Sequence, residues 1–182
     1  DLQRVVFRSC GHEWKDMDSY DEWSDENPEF RKHWRDGPGK HINSYSHNFT
    51  IIDWDNSHWG SEDGPYKLIA VTEYHVKPSH AARFEQARRT MSQIAIDQGW
   101  ASDERVWLWS RSMGGGRNYS LIAPHADYAS LNMDNDEFAA FLSSKLGEDK
   151  AMELMEEFMS GVEKTNFQLW RHYPDVSMTM ED

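Results

Sequence analysis

The order of strand and helix patterns between residues 66 and 176 constrains this chain more than any single motif. Leu68 to Val76 alternates and is rich in β-formers, which predicts a strand. Lys77-Pro78 stops it, and Pro78 suits the first turn of a helix. From Ser79 to Gln98 the apolar residues Phe84, Ala87, Met91 and Ile94 recur every three or four positions and so share one helical face. Gly99 is placed to cap that helix. Arg105 to Ser112 and Asn118 to His125 predict two strands, joined through Gly114-Gly115-Gly116, a turn free to adopt positive φ. Asp134 to Gly161 is helical by the spacing of Phe138, Phe141, Leu142, Leu146, Met155, Phe158 and Met159, with a break or bend at Gly147. Asn166 to Tyr173 closes the series as a strand ended by Pro174.

The order β-α-β-β-α-β is the split βαβ signature of a ferredoxin-like α+β module. Its two helices cover one sheet face and leave the other bare. A bare sheet face has to be buried, and pairing with another sheet is the common solution. The expectation is therefore a dimeric α+β barrel, in a homodimer or higher homo-oligomer.

Residues 1–65 are less regular. Arg4 to Arg8 and Asn48 to Trp54 predict short strands, and Ser19 to Trp34 carries Tyr20, Trp23, Phe30 and Trp34 at roughly helical spacing, interrupted by Pro28. This part is either an aromatic-rich N-terminal extension or a degenerate βαβ half-repeat that lengthens the sheet. Ser57 to Pro65 has the composition of a linker, and residues 177–182 form a tail.

Charge narrows the partners. With 19 basic and 32 acidic side chains the net charge is −13, divided as −7 before Gly64 and −6 after it. No basic patch exists to neutralise phosphates, so neither nucleic acid nor an anionic membrane is expected as a partner. No stretch approaches the ~20 apolar residues that span a bilayer. Cys10 is the single cysteine, which forbids an internal disulfide. A chain numbered from Asp1 without Met suits a mature protein after signal-peptide removal, which leans toward a periplasmic or extracellular location. The nine histidines form no HExxH, no paired-His helix spacing and, with a lone cysteine, no CxxC. No metal and no cofactor is called for.

Strand alternation assigns candidate side chains to faces. Glu73 and His75 lie opposite the more apolar set of Leu68, Ala70, Thr72, Tyr74 and Val76, so they are expected on the bare face. The same parity groups Trp107, Trp109 and Arg111, and groups Gln168, Trp170 and His172; the third strand offers Tyr119, Leu121 and His125. Together they predict a cavity walled by Trp107, Trp109 and Trp170, with Glu73, His75, Arg111, His125 and His172 as its polar groups. There His75 acts as a general base oriented by Glu73, and Arg111 stabilises an oxyanion. The competing expectation is a salt-bridged network of Glu73, His75 and Arg111 with tryptophans filling the barrel.

The stretch from Leu68 through Phe84, with its strand end Tyr74-His75-Val76-Lys77-Pro78, short polar turn and amphipathic helix, resembles the opening of the dimeric α+β barrel superfamily. That group includes the antibiotic-biosynthesis monooxygenase and NIPSNAP types. The Trp107 and Trp109 hairpin and a final strand ending near Tyr173 extend the resemblance over residues 66–176. It implies a small-molecule-binding barrel, with cofactor-independent oxygenation or isomerisation of an aromatic or hydrophobic substrate among the activities of the group. No member's catalytic positions transfer residue by residue. The alternative is a non-catalytic interaction or self-assembly module, in which the arm bearing Trp14, Tyr20, Trp23, Phe30, Trp34, Tyr45, Phe49, Trp54 and Trp59 docks onto neighbouring subunits.

Overall fold

A computed structural model of the chain describes residues 5–9, 11–59, 66–114, 116, 118–131, 135–173 and 175. It divides into two compact units, Asp1–His47 and Asn48–Asp182. In the first, α1 (Trp14–Glu26) and α2 (Pro28–Asp36) replace the single interrupted helix expected there. Pro28 occupies the first turn of α2, where its missing N–H has no helical partner to lose. Trp23 meets Phe30 edge-on at 5.0 Å, and Arg31 Nε donates to Ser24 Oγ at 2.8 Å, so the two helices share aromatic and polar contacts. Residues 5–9 form no strand, and Arg4 lies outside the described residues, as do Cys10 and the tail 177–182.

The second unit is a mixed α+β fold around one antiparallel sheet. Its strands are β1 (Thr50–Ile52), β2 (Leu68–Val76), β3 (Leu108–Ser112), β4 (Asn118–His125) and β5 (Val162–Arg171), in the spatial order β1-β3-β4-β2-β5. Helix α3 (Ala81–Asp97) connects β2 to β3, while α4 (Asn135–Leu146) and α5 (Glu148–Ser160) connect β4 to β5. Gly147, at φ 86°, stands between α4 and α5, because that left-handed conformation is open to glycine at no steric cost. Apolar spacing on α3 delivers Phe84 and Ala87 to the sheet, both fully buried. Phe84 stacks on Phe158 of α5 at 4.7 Å and lies 4.8 Å from Tyr119 of β4, so strands and helices close over a single aromatic core.

The segment before the expected boundary at residue 66 belongs to this unit. β1 pairs with β3 in the register Ile51↔Arg111 and so adds a strand to the sheet. Behind it a 3₁₀ turn, Trp54–Asn56, is tied down at several points. Asp53 Oδ2 accepts from Arg88 of α3 at 2.5 Å, and the Trp107 indole N–H donates to the Asn56 carbonyl at 3.0 Å. Backbone bonds pair His58 with Trp107 in both directions, at 2.9 and 2.7 Å. Residues 60–65, in the expected linker, lie outside the described set.

Where α5 turns into β5, Gly161 passes the start of α3. Its carbonyl accepts from the Lys77 N–H at 2.9 Å, and a Cβ at this position would fall 2.3 Å from His80 Cβ. Neither backbone is free to retreat. Gly161→Ala is therefore expected to destabilise the unit by about 1–3 kcal/mol, the usual range for forcing extra atoms into a packed site. Urea denaturation followed by tryptophan fluorescence measures it, and an unchanged midpoint would disprove the close approach.

Candidate functional site

Antiparallel register fixes which side chains share a face. Glu73 stands opposite Ser120 of β4 and Asn166 of β5, and His75 opposite Asn118 and Lys164. Ser120 in turn faces Ser110 of β3, which faces Ile52 of β1. This face therefore holds a polar row at one end. At the other, Val71, Leu108 and Ile122 form a buried cluster against which Ile52, Ile69 and Trp170 pack. The expected placement of Glu73, His75 and Trp170 on one face agrees with this arrangement.

Asn166 joins the polar row into a unit. Its Nδ2 donates to Glu73 Oε2 at 3.3 Å and approaches His75 Nε2 at 3.1 Å, one amide hydrogen for each. The reverse amide orientation would set its carbonyl against the Glu73 carboxylate, two acceptors with no proton between them. An amide nitrogen only donates, so in this contact His75 Nε2 is the acceptor, which corresponds to the tautomer with its proton on Nδ1. His75 thus presents a donor, with its basic lone pair engaged by Asn166. The expected general base oriented directly by Glu73 is replaced by a clamp in which Asn166 separates the two. Asn166 is not among the sequence candidates, although it shares the parity of Gln168 and Trp170 on the last strand, which is the signal that could have found it.

The other sequence candidates lie elsewhere. Trp109, Arg111, Tyr119 and Leu121 are on the opposite, helix-covered face: Trp109 pairs with Leu121 and Arg111 with Tyr119. Trp107 precedes β3 and packs with Trp109 and Tyr119 against the core under α3. Expecting Trp107, Trp109 and Arg111 beside Glu73 inverted the parity of β3. The physical reason is that a tryptophan fills the deep space under α3, where Trp109 Nε1–H finds Ser92 Oγ at 3.1 Å, whereas Leu108 suits the shallower face. His172 lies one residue beyond β5 with an exposed side chain, its N–H donating to the Lys67 carbonyl at 2.9 Å.

His125 shares the helix-covered face, opposite Leu68, and is 7% exposed. Its Nδ1–H donates to the Ser130 carbonyl at 3.0 Å. Desolvation lowers its pKa and the Ser130 bond raises it by less, so the ring is held neutral below the ordinary histidine value. Burial also pushes the Tyr74 phenol up to about 12, which removes it from proton transfer near neutrality. Among the described residues no three His, Cys, Asp or Glu side chains are grouped to hold a metal ion, and no helix is long and apolar enough to cross a membrane. Compared with protein-family models, curated proteins and solved structures, the chain matches none.

The lowered pKa of His125 has a definite sign. The folded state binds this proton less readily than the unfolded chain, so its stabilising effect is complete above the ordinary value of ~6.5 and is lost as pH falls through the folded value. The stability gap between wild type and His125→Gln should narrow between pH 7.5 and pH 5 in urea denaturation. A gap that stays constant would show that the ring is not held neutral.

Proposed function

We propose that the Asn48–Asp182 unit is a ferredoxin-like module that pairs through the sheet face bearing Glu73 and His75, forming a dimeric α+β barrel that binds a small, largely apolar molecule. The interleaving of its strands supports the module. β2 and β3, joined by α3, are separated by the antiparallel β4, and β4 and β5, joined by α4 and α5, are separated by the antiparallel β2. That is how a split βαβ unit becomes antiparallel throughout. β1 adds a strand at the β3 edge.

The observation that carries the ligand reading is the Asn166 clamp beside the half-buried Ile52, Ile69 and Trp170, which pack against the buried Val71, Leu108 and Ile122. Apolar walls with a few convergent polar groups are the usual make-up of a small-molecule site. With the proton on Nδ1, His75 suits a ligand oxygen that accepts a hydrogen bond. Oxygenation or isomerisation at this face would need a base, and Asn166 must release Nε2 before His75 can serve as one. The oxyanion role expected of Arg111 has no place on this face. Binding is thus the better-supported half of the reading.

A second reading has its own observation. Trp14, Tyr20, Trp23 and Trp34 are between 43% and 61% exposed, an aromatic density that suits anchors for another chain. Deleting residues 1–47 separates the two readings, since the barrel needs only the Asn48–Asp182 unit.

Nile red, a neutral, flat dye with one carbonyl acceptor, is a suitable probe. The full chain should have twice the 21.4 kDa protomer mass by light scattering and bind the dye saturably. His75→Ala and Trp170→Ala should each weaken binding about tenfold, the loss of about one good contact or hydrogen bond. A monomeric mass, or a titration unchanged by both substitutions, overturns the reading.

A further inference from the structure

We propose that the groove between α3 and the β1–β3 edge binds a small oxyanion, a phosphate- or carboxylate-bearing molecule, through Arg88, Arg89 and Arg111. The groove is a cavity of about 430 Å³ on the helix-covered side, lined by these three arginines together with Asp53, Glu85 and Tyr119. In a chain of net charge −13 it gathers three guanidinium groups against two carboxylates.

Both carboxylates are already engaged. Glu85 Oε1 accepts from the Tyr119 hydroxyl at 2.6 Å, and its other oxygen lies 3.9 Å from Arg89, at the limit of an ion pair. Asp53 accepts from Arg88 Nη2 at 2.5 Å and from Asn56 Nδ2 at 2.9 Å. No carboxylate among the described residues pairs with Arg111, whose side chain is exposed. Arg89 and Arg111 therefore stand toward solvent with donors to spare.

Arg88 supplies the second, independent observation. It is 3% exposed, and its Nε and Nη1 are sealed from solvent with no hydrogen-bond partner among the described residues. Its guanidinium lies 5.1 Å from the Trp109 ring centre, a contact that accommodates the charge without satisfying those N–H groups. A buried donor is ordinarily paired. Here a buried cation lines the groove beside two exposed guanidiniums, and its charge acts on the groove in a medium that screens it less than water does. Planar guanidinium forks match the paired oxygens of carboxylate and phosphate. Ile51 and Trp109 add apolar wall for the body of an organic anion. The site is independent of the Glu73–Asn166–His75 face, since Trp109, Arg111 and Tyr119 point away from it.

Calorimetric titration of the full chain at constant ionic strength tests this with inorganic phosphate and with benzoate, chloride being the reference. Saturable binding of at least one is expected, weakened tenfold or more by the double substitution Arg89→Gln, Arg111→Gln and unchanged by Lys150→Gln, which removes a positive charge from the surface elsewhere. Asp53→Asn should tighten binding, because it removes the carboxylate that competes for Arg88; a purely structural ion pair offers no such gain. Binding of phosphate alone identifies a phosphate-bearing ligand, and binding of benzoate identifies a carboxylate with an apolar body. Binding of neither, or equal binding by wild type and the double variant, overturns the proposal. Should Asp53→Asn fail to fold, the solvent-facing double variant still decides it.

Discussion

The Trp109 indole lies between sheet and helix with its Nε1–H on Ser92 of α3 and Arg88 stacked on its ring. Its backbone is committed in the other direction: the N–H donates to Ser57 Oγ at 2.9 Å, and the carbonyl accepts from the Asp53 N–H at 2.9 Å. One residue thus joins β3, α3 and the segment behind β1. Arg88 bonds back to Asp53, so the links form a closed ring of contacts in which each member orients the next. The aromatic core continues from this point, since Tyr74 lies 5.8 Å from both Trp109 and Phe84. Loosening the indole would release three elements together.

The same side chain sets the chemistry of both sheet faces. Alternation in β3 is rigid, so Trp109 facing α3 sends Arg111 to that side and leaves Leu108 and Ser110 on the other. Basic groups therefore gather in the α3 groove, while the acidic and imidazole groups of β2 gather on the opposite face. Had the parity been reversed, Arg111 would stand near Glu73 and neutralise it. Instead the partner that reaches Glu73 is the amide of Asn166, which also reaches His75. The separation of Arg111 from His75 is a consequence of packing, and it divides the chain's possible chemistry between two places.

Much of this architecture was legible from spacing alone. The order of elements, the positions of β2, α3 and β4, and the break at Gly147 follow from period and punctuation, because burial on one side imposes those periods directly. β5 starts at Val162, four residues earlier than expected, because Val162-Glu163-Lys164-Thr165 carries too few apolar residues to announce a half-exposed edge strand. The face of β2 was readable from its second half, where Glu73 and His75 alternate with Tyr74 and Val76, since Ile69 and Val71 make its first half apolar on both sides. That of β3 was not: Trp107, Trp109, Leu108 and Val106 put apolar bulk on both sides, and only the cross-strand register with β4 resolves it. Arg88 was missed, although its position between Phe84 and Met91 put a charge on the buried stripe of α3, which is the signal that could have found it.

That charge is the feature least explained by stability. Taking a guanidinium and a carboxylate out of water is expensive, and exchanging such a pair for apolar side chains is often neutral or favourable. A methionine at position 88 would continue the stripe of Phe84 and Met91 and still lie against Trp109. The ion pair with Asp53 does orient the turn behind β1, yet Gln93, which donates to the Asp55 carbonyl at 2.7 Å, and the Trp107 bond to Asn56 hold that turn without any charge. With neutral bonds also placing the turn, the charge of Arg88 is available to the proposed oxyanion groove, which it lines with Arg89 and Arg111.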